Sequence, residues 1–357
     1  MNLNRIPLFA FFLLFSLLLS SCNKDLGTGP PPGPKWKIYT KASTGGALIH
    51  NGINGISVDS DNRIWFSTDG GVSVLRGSIW TTYTTEVQYS GRFGIERRVT
   101  CTTHGADGST WIGLAGGGVR RYNPASSTQQ WTSYTVSTGD LSGDIIKQIV
   151  ADRSGPSGSS NIWVVPFLSG VSRYKPRVSD PVNGDWQFYS TTNGLPTSDI
   201  YSVQNNFIRR KVLFGTAYGE LVTALNDGSE WNTERVANYD GNINALAIEG
   251  SDIVWVATVD GVFRRTVSWT QFVHDTTGNS IPSNTASAIT IEASGIKWIG
   301  TDNGLARFDN FNWQIFNRAN SPIPSDTINA LTIDIDGKIW IGTANGAAVY
   351  NPDGVDE

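Results

Sequence analysis

The stretch at 328–350, INALTIDIDGKIWIGTANGAAVY, determines the fold that we expect for this chain. Residues 328–334 alternate apolar residues with polar or small ones, as a half-buried strand does. After a tight turn, KIWIGT at 338–343 predicts a second strand. Asn345-Gly346 is a two-residue hairpin signal, for which we expect a type I′ turn with positive φ at both positions. The stretch therefore predicts three antiparallel strands and no helix.

Thirteen tryptophans repeat this pattern along the chain in two registers. Seven of them begin short segments with a W-x-x-[Y/F]-like frame: Trp36, Trp80, Trp131, Trp186, Trp231, Trp269 and Trp313. Six precede a small-residue hairpin: Trp65, Trp111, Trp163, Trp255, Trp298 and Trp340. Leu213 occupies the one gap in this second register. The first register has a period of about 46 residues, which is typical of propeller blades and solenoid units.

The two ends of the repeat array predict how it closes. The chain opens with a Trp-led strand at 36–40, and its last unit stops after a third strand. Pairing the two completes the last unit and removes the break between the first and last units. The sequence therefore predicts an all-β fold, a seven-bladed β-propeller of four-stranded antiparallel blades, closed by strand 36–40 pairing with the last blade.

Three segments carry a resemblance to a known family: TTNGLPTSDIYSV (191–203), NSIPSNTASAITIEASGIKWIGTDNGLARFD (279–309) and NSPIPSDTINALTIDIDGKIWIGTANGAAVYN (320–351). Each resembles the two-component regulator propeller repeat. Leu114, Pro166 and Leu213 depart from the residues usual at their positions in that repeat. The resemblance implies a propeller that acts in recognition outside the cytoplasm. It does not imply signalling, because the kinase and regulator modules of the family are absent from this sequence.

The first residues predict export and lipid attachment. Arg5 precedes an apolar run at 8–19 that is too short for a lasting membrane span. The following Leu-Ser-Ser-Cys segment resembles a bacterial lipobox, so we expect Cys22 to be the lipidation site. An ordinary cleaved signal with a chance cysteine is the alternative. Asn23 after the cysteine favours the outer membrane, with the protein facing the periplasm or the cell surface.

These features divide the chain into three parts. We expect residues 1–21 to be the signal peptide and residues 22–35 to be a flexible tether, because its Pro/Gly stretch forms neither helix nor ladder. Residues 36–357 would form the propeller domain.

Charge and cysteine content narrow the choice of partners. Without residues 1–21 the chain has 26 basic and 31 acidic residues, and this mild acidity gives no reason to expect nucleic acid. We expect membrane contact through the lipid anchor only, and a monomer. Cys101 would remain as the single free thiol, and its place in a β-type run predicts a small buried residue.

The predicted ligand site lies on one face of the propeller. The connections between second and third strands and between successive blades surround the mouth of the central channel there, and we call this the upper face. Arginines beside aromatic residues suit carboxylates or sugar rings; ordinary solvated turns are the alternative. The predicted ligand-binding residues are Tyr89, Arg92, Phe93, Arg97, Arg98, Phe167, Tyr218, Asn303 and Asn345.

Catalytic and metal chemistry have little support. The chain has three histidines, of which His50 and His274 fall on the upper face and His104 on the opposite one. There is no His-x-x-x-His, cysteine pair or Gly-x-Ser-x-Gly motif. The Asp-x-Asp-Gly sequence at 334–337 lacks the later ligands of a calcium loop, so a hairpin turn is the better interpretation. We predict no catalytic residues, no metal and no cofactor.

Three functions remain open. The sequence favours an extracytoplasmic, non-enzymatic module that binds a glycan, a peptide or a protein. A structural adapter of the cell envelope is the first alternative, and its rim would lack a small-molecule pocket. A propeller-fold lyase or hydrolase is the second. It would need an upper-face histidine or a channel carboxylate within about 4 Å of another titratable group.

Overall fold

The computed structural model describes residues 35–84, 98–127, 130–155, 159–177, 184–274 and 281–354. Within these residues the chain forms twenty-eight strands and no helix. The strands make seven four-stranded antiparallel sheets. The inner strand of each sheet packs against the inner strands of the two neighbouring sheets, so the sheets form a ring. The fold is a seven-bladed β-propeller, as predicted.

Each blade takes its strands in chain order from the channel to the rim, except that β1 (Trp36–Tyr39) belongs to blade 7. Blade 1 contains β2 (Ile53–Val58), β3 (Ile64–Thr68), β4 (Gly71–Arg76) and β5 (Ile79–Tyr83). Blade 2 contains β6 (Val99–His104), β7 (Thr110–Leu114), β8 (Val119–Tyr122) and β9 (Trp131–Tyr134). Blade 3 contains β10 (Ile146–Asp152), β11 (Asn161–Pro166), β12 (Val171–Pro176) and β13 (Gly184–Tyr189).

Blade 4 contains β14 (Ile200–Asn206), β15 (Lys211–Thr216), β16 (Glu220–Leu225) and β17 (Asn232–Arg235). Blade 5 contains β18 (Ile243–Glu249), β19 (Ile253–Thr258), β20 (Gly261–Arg265) and β21 (Trp269–Phe272). Blade 6 contains β22 (Ala286–Ile291), β23 (Lys297–Thr301), β24 (Gly304–Phe308) and β25 (Trp313–Phe316). Blade 7 contains β26 (Ile328–Ile333), β27 (Ile339–Thr343) and β28 (Gly346–Tyr350), with β1 as its outer strand.

The ring closes through β1, which is one residue shorter than predicted. It pairs antiparallel with β28, with Trp36 opposite Tyr350 and Tyr39 opposite Ala347. The Trp36 ring lies 4.7 Å from the Tyr350 ring, and the Tyr39 ring lies 5.7 Å from Trp340, measured between centroids. Both backbone pairing and aromatic packing therefore join the first strand to the last blade.

The second-strand tryptophans are buried and hold the turns of their blades. In four blades the indole N–H donates to a carboxylate six residues earlier in the chain. These bonds run from Trp65 to Asp59 (2.8 Å), Trp255 to Glu249 (2.8 Å), Trp298 to Glu292 (2.6 Å) and Trp340 to Asp334 (2.9 Å). Asp334 also accepts the backbone N–H groups of Asp336 and Lys338. The Asp-x-Asp-Gly sequence is thus a hairpin turn whose carboxylate anchors a tryptophan.

The hairpin turns correct the type I′ expectation at Asn345-Gly346. Gly346 has a φ of 125°, whereas Asn345 does not have positive φ, so the turn is not type I′. A Cβ atom on Gly346 would lie 2.7 Å from the carbonyl oxygen of Tyr39 in the outer strand. Glycine is required here by its own φ and by the close approach of the neighbouring backbone, because any larger residue would collide with it.

Candidate ligand-binding site

A β-bulge near the start of each inner strand presents one side chain at the upper mouth of the channel. In every blade the register between the first and second strands shifts across the second residue of the inner strand. Bulges commonly redirect a side chain at the rim of a closed sheet. We call these seven residues the bulge ring: Asn54, Thr100, Lys147, Tyr201, Asn244, Ser287 and Asn329.

Five members of the bulge ring hydrogen-bond to the backbone. Four of them donate to a carbonyl at the start of the next inner strand, and Thr100 donates within its own blade. The bonds run from Asn54 to Val99 (2.9 Å), Asn244 to Ala286 (2.9 Å), Asn329 to Ile53 (3.0 Å), Ser287 to Ile328, and Thr100 to Gly113 (3.1 Å). Four of these side chains therefore join neighbouring blades, and Thr100 joins two strands of blade 2.

Lys147 and Tyr201, in the adjacent blades 3 and 4, contact aromatic or cationic side chains instead. The Lys147 Nζ atom lies 4.9 Å from the centroid of the Tyr201 ring and 5.5 Å from that of Phe167. The two rings meet edge to face at 6.2 Å. We call these three residues the Lys147 cluster. It places an ammonium group beside two aromatic rings at the channel mouth.

Charge from a neighbouring blade acts on this cluster. Burial lowers the pKa of Lys147, and the positive charge of Arg98 lowers it further. Arg98 itself lies 3.1 Å from the carboxylate of Asp69, measured from Nε to Oδ1. The Lys147 side chain is nevertheless exposed to solvent. An anionic group bound near Lys147 and Arg98 would relieve the repulsion between them.

The structure brings some of the predicted ligand-binding residues together and separates others. Phe167 belongs to the Lys147 cluster, and Arg98 acts on it electrostatically. Tyr218 is exposed on the same blade as Tyr201, and its hydroxyl donates to Asp199 Oδ2 at 2.5 Å.

Asn303 and Asn345 lie on blades 6 and 7, three or more blades from Phe167. The Asn303 amide donates to the Pro282 carbonyl, and the Asn345 side chain accepts from Asn51, each at 3.3 Å. The structure therefore does not gather them with the Lys147 cluster. Four further predicted residues, and the predicted lipidation site, lie outside the described residues: Tyr89, Arg92, Phe93, Arg97 and Cys22.

Lys147 and Tyr201 were not among the residues predicted from the sequence. The tryptophan registers mark the second and fourth strands of each blade, whereas the bulge ring lies on the first. The sequence does contain a signal. In all seven blades the bulge residue follows an apolar residue, and it is Asn, Ser or Thr in five blades but Lys147 and Tyr201 in the other two. Aligning the inner strands by that position would have singled out both residues.

His50 and Asp69 lie close together on the upper face but share no hydrogen bond. The His50 Nδ1 atom accepts the N–H of Gly52 at 2.9 Å and lies 3.9 Å from Asp69 Oδ2. The nitrogen nearest the carboxylate is thus an acceptor, so no proton joins the two groups. The His274 Nδ1 atom lies 2.5 Å from the carbonyl oxygen of Ile281 and donates to it. The His50–Asp69 distance meets the criterion set for a lyase or hydrolase, but the hydrogen bond is missing.

The lower mouth of the channel has a different chemistry. A cavity of about 870 Å³ opens there and is lined in part by His104. The His104 ring nitrogens lie 2.8 Å from the Ser57 hydroxyl and 3.1 Å from the Thr110 hydroxyl. Burial lowers the pKa of His104 to about 4, so the imidazole is neutral at neutral pH. Its hydroxyl partners identify it as part of the packing of the inner strands.

Other reactive groups are sparse in the part of the chain that the structure describes. It contains no cluster of three or more His, Cys, Asp or Glu side chains placed to hold a metal ion. It also has no helix able to cross a bilayer. Burial raises the pKa of the Cys101 thiol to about 11, which makes it a poor nucleophile.

The sequence matches the model of the two component regulator propeller family over residues 47–70 and 322–345. A search of the curated proteins finds no match. The two matched segments fall in the first and last blades, where the hairpin pattern of the repeat is clearest.

Several solved structures share the fold. The extracellular domain of a protein described as a hybrid two component system of B. thetaiotaomicron is 20% identical, with a TM-score of 0.65 over 84% of this chain. The chain spans 40% of that protein's length. Virginiamycin B lyase from Staphylococcus aureus, solved with quinupristin, is 17% identical, with a TM-score of 0.65 over 88% of this chain and 98% of the lyase. PorZ, a surface component of the type-IX secretion system of Porphyromonas gingivalis, is 15% identical, with a TM-score of 0.64 over 84% of this chain and 46% of PorZ.

Proposed function

We propose that this chain, a seven-bladed propeller carrying repeats of the two-component regulator propeller family, is an extracytoplasmic, non-enzymatic recognition module. Its ligand would be an acidic saccharide bound at the upper channel mouth. The Lys147 cluster supports this function, because at two adjacent blades a lysine and a tyrosine replace the residues that elsewhere tie the blades together.

The chemistry of the cluster matches a uronic acid. The C–H face of a pyranose ring packs against aromatic side chains, and a carboxylate pairs with an ammonium or guanidinium group. Phe167 and Tyr201 would supply the rings, while Lys147 and Arg98 would supply the positive charge. The exposed Tyr218 hydroxyl, already bonded to Asp199, would add a polar contact at the edge of the site.

The proposed setting is the outer membrane. Residues 1–21 would be removed as a signal peptide, Cys22 would carry the lipid, and residues 22–35 would tether the propeller on the periplasmic or cell-surface side. The B. thetaiotaomicron neighbour is an extracellular domain and PorZ is a surface component, which supports an extracytoplasmic location. The likeness to the lyase extends to the fold only, and we propose no turnover.

Titration calorimetry with oligogalacturonate and with a neutral oligosaccharide of the same length tests the function. Replacing Lys147 by Met removes the charge and keeps most of the side chain. We expect binding of the acidic ligand to weaken about tenfold or more, or about 1.4 kcal/mol. The matched control is Lys338→Met, a substitution of a lysine in a groove between blades 7 and 1, and it should bind as the parent does. Equal affinity of Lys147→Met and the parent, or no preference for the acidic ligand, would remove the proposed function.

A further inference from the structure

Large apolar side chains are most exposed on the face opposite the proposed ligand site. We call this the lower face; it carries the turns between first and second strands and between third and fourth strands. Among the described residues, the six most exposed large apolar side chains range from 58% to 104% exposed. All six lie at these turns: Ile79, Phe207, Ile208, Val267, Phe311 and Ile335. At the other described positions the exposed fraction of such a side chain reaches 51% at most.

The described part of the chain also begins at the lower face. Trp36 pairs with Tyr350 at the lower end of blade 7, and the Lys35 carbonyl accepts the N–H of Asn351 at 2.9 Å. The proposed lipidation site, Cys22, precedes Trp36 by 14 residues in the sequence. Those residues can span at most about 50 Å when fully extended. A lipid anchor would therefore hold the lower end of blade 7 within about 50 Å of the membrane.

We propose that the lower face lies against a phospholipid surface, with these apolar turn residues entering the boundary between head groups and acyl chains. The inference builds on the lipid anchor of the proposed function, which supplies the first of two membrane signals. The six residues are spread over blades 1, 4, 5, 6 and 7. Separate apolar tips suit a planar, fluid surface, whereas a protein partner binds a contiguous patch of complementary shape.

One of these tips combines apolar character with charge. The Arg153 guanidinium lies 5.9 Å from the centroid of the exposed Phe207 ring at the lower mouth. A basic residue next to an inserted aromatic ring would meet the phosphates of the head groups. In this orientation the upper channel mouth, with the Lys147 cluster, faces away from the membrane and stays open to ligands.

Vesicle sedimentation of the chain without residues 1–22 tests the inference. Residues 35–354 contain all seven sheets and the closing strand, so this acyl-free chain keeps the whole fold. With phosphatidylethanolamine–phosphatidylglycerol vesicles, replacing Val267, Phe311 and Ile335 by Ser should lower the partition coefficient about tenfold or more, because apolar area no longer enters the lipid. The matched control replaces with Ser three upper-face apolar residues that are 48% to 51% exposed, and it should change the partition coefficient less than about twofold: Val136, Ile145 and Val259.

A fluorescent label reports the orientation directly. An environment-sensitive dye on Val267→Cys should shift to the blue when vesicles are added, whereas the same dye on Val136→Cys should not. Cys101 does not compete for the dye, since burial raises the pKa of its thiol to about 11. A shift at Val136→Cys alone would place the wrong face on the membrane and overturn the inference.

Three other outcomes would overturn it. The acyl-free parent could fail to bind vesicles, or the two serine triplets could weaken binding equally. The parent could also self-associate without vesicles in a way that the lower-face triplet abolishes, which would make a second copy the occupant. Oligogalacturonate binding, measured on the same samples, separates this inference from the proposed function, because loss of vesicle binding with intact saccharide binding removes the lower-face inference alone.

Discussion

The upper and lower faces of this propeller are built from the same seven sheets but differ in their side chains. At the upper mouth the bulge ring is polar, and five of its seven members hydrogen-bond to the backbone. At the lower face carboxylates anchor the turns from within, while apolar residues occupy the turn tips. The difference shows that the repeat determines the sheets, whereas individual bulge and turn residues determine what each face can bind.

Removing the closing strand β1 should have the largest effect, because it opens the ring on which both faces depend. Deleting residues 36–39 removes the four residue pairs between β1 and β28 and the burial of Trp36 and Tyr39, at a cost of about 5 kcal/mol. We expect a lower free energy of unfolding, measured in urea, with saccharide and vesicle binding lost together. A four-residue deletion in the tether, 26–29, is the control and should change none of these. A closure-strand deletion that unfolds like the parent would show that the two faces do not depend on a closed ring.

Protonation of His104 at the lower mouth should lower the stability of the fold without changing ligand binding at the upper mouth. His104 has a folded-state pKa of about 4, whereas the unfolded chain takes up this proton near pH 6.5. Between these values the unfolded state binds more protons, so stability present above pH 6.5 falls as the pH drops towards 4. The total loss should be on the order of 3 kcal/mol, at about 1.4 kcal/mol per pKa unit over about 2.5 units.

His104→Gln is the variant that isolates this effect. It keeps hydrogen-bonding groups for Ser57 and Thr110 but cannot take up the proton. Urea unfolding across this pH range should show a shallower loss for the variant, with unchanged oligogalacturonate affinity at neutral pH. Parallel pH profiles of parent and variant would show that His104 is not the titrating group.

The smallest expected effect is that of Arg98 on Lys147 at the upper mouth. Arg98 helps to lower the pKa of Lys147, so Arg98→Gln should raise that pKa. Binding of oligogalacturonate should then persist to higher pH, although its affinity at neutral pH falls with the lost charge. Calorimetric titrations over the alkaline range measure the midpoint of binding loss. A midpoint that stays in place or moves to lower pH would separate Arg98 from the Lys147 cluster.

Much of the fold follows from residues that are visible in the sequence. Trp36 and the unfinished last blade predicted the closing strand, because a missing outer strand and an unpaired one must meet. The upper-face position of Phe167 followed from strand order alone. These features could be predicted since they depend on counting strands.

The site depends on features that a strand count does not contain. Lys147 reaches the channel mouth through a bulge, which a strand count does not show, although its residue type departs from the Asn, Ser or Thr of five other blades at this position. The turn at Asn345-Gly346 was predicted wrongly, because Thr343 pairs with Gly346 and leaves Ala344 and Asn345 as the central residues of the turn. Both features depend on the register between paired strands, which the residue types alone do not fix.

A crystal structure of residues 36–357 with oligogalacturonate would test the central claim most directly, because the ligand has two mouths to choose from. We predict a carboxylate at about 3 Å from Lys147 Nζ, with a sugar ring against Phe167 or Tyr201 and an empty lower cavity. Ligand bound in the lower cavity beside His104, with the Lys147 cluster unoccupied, would contradict the account.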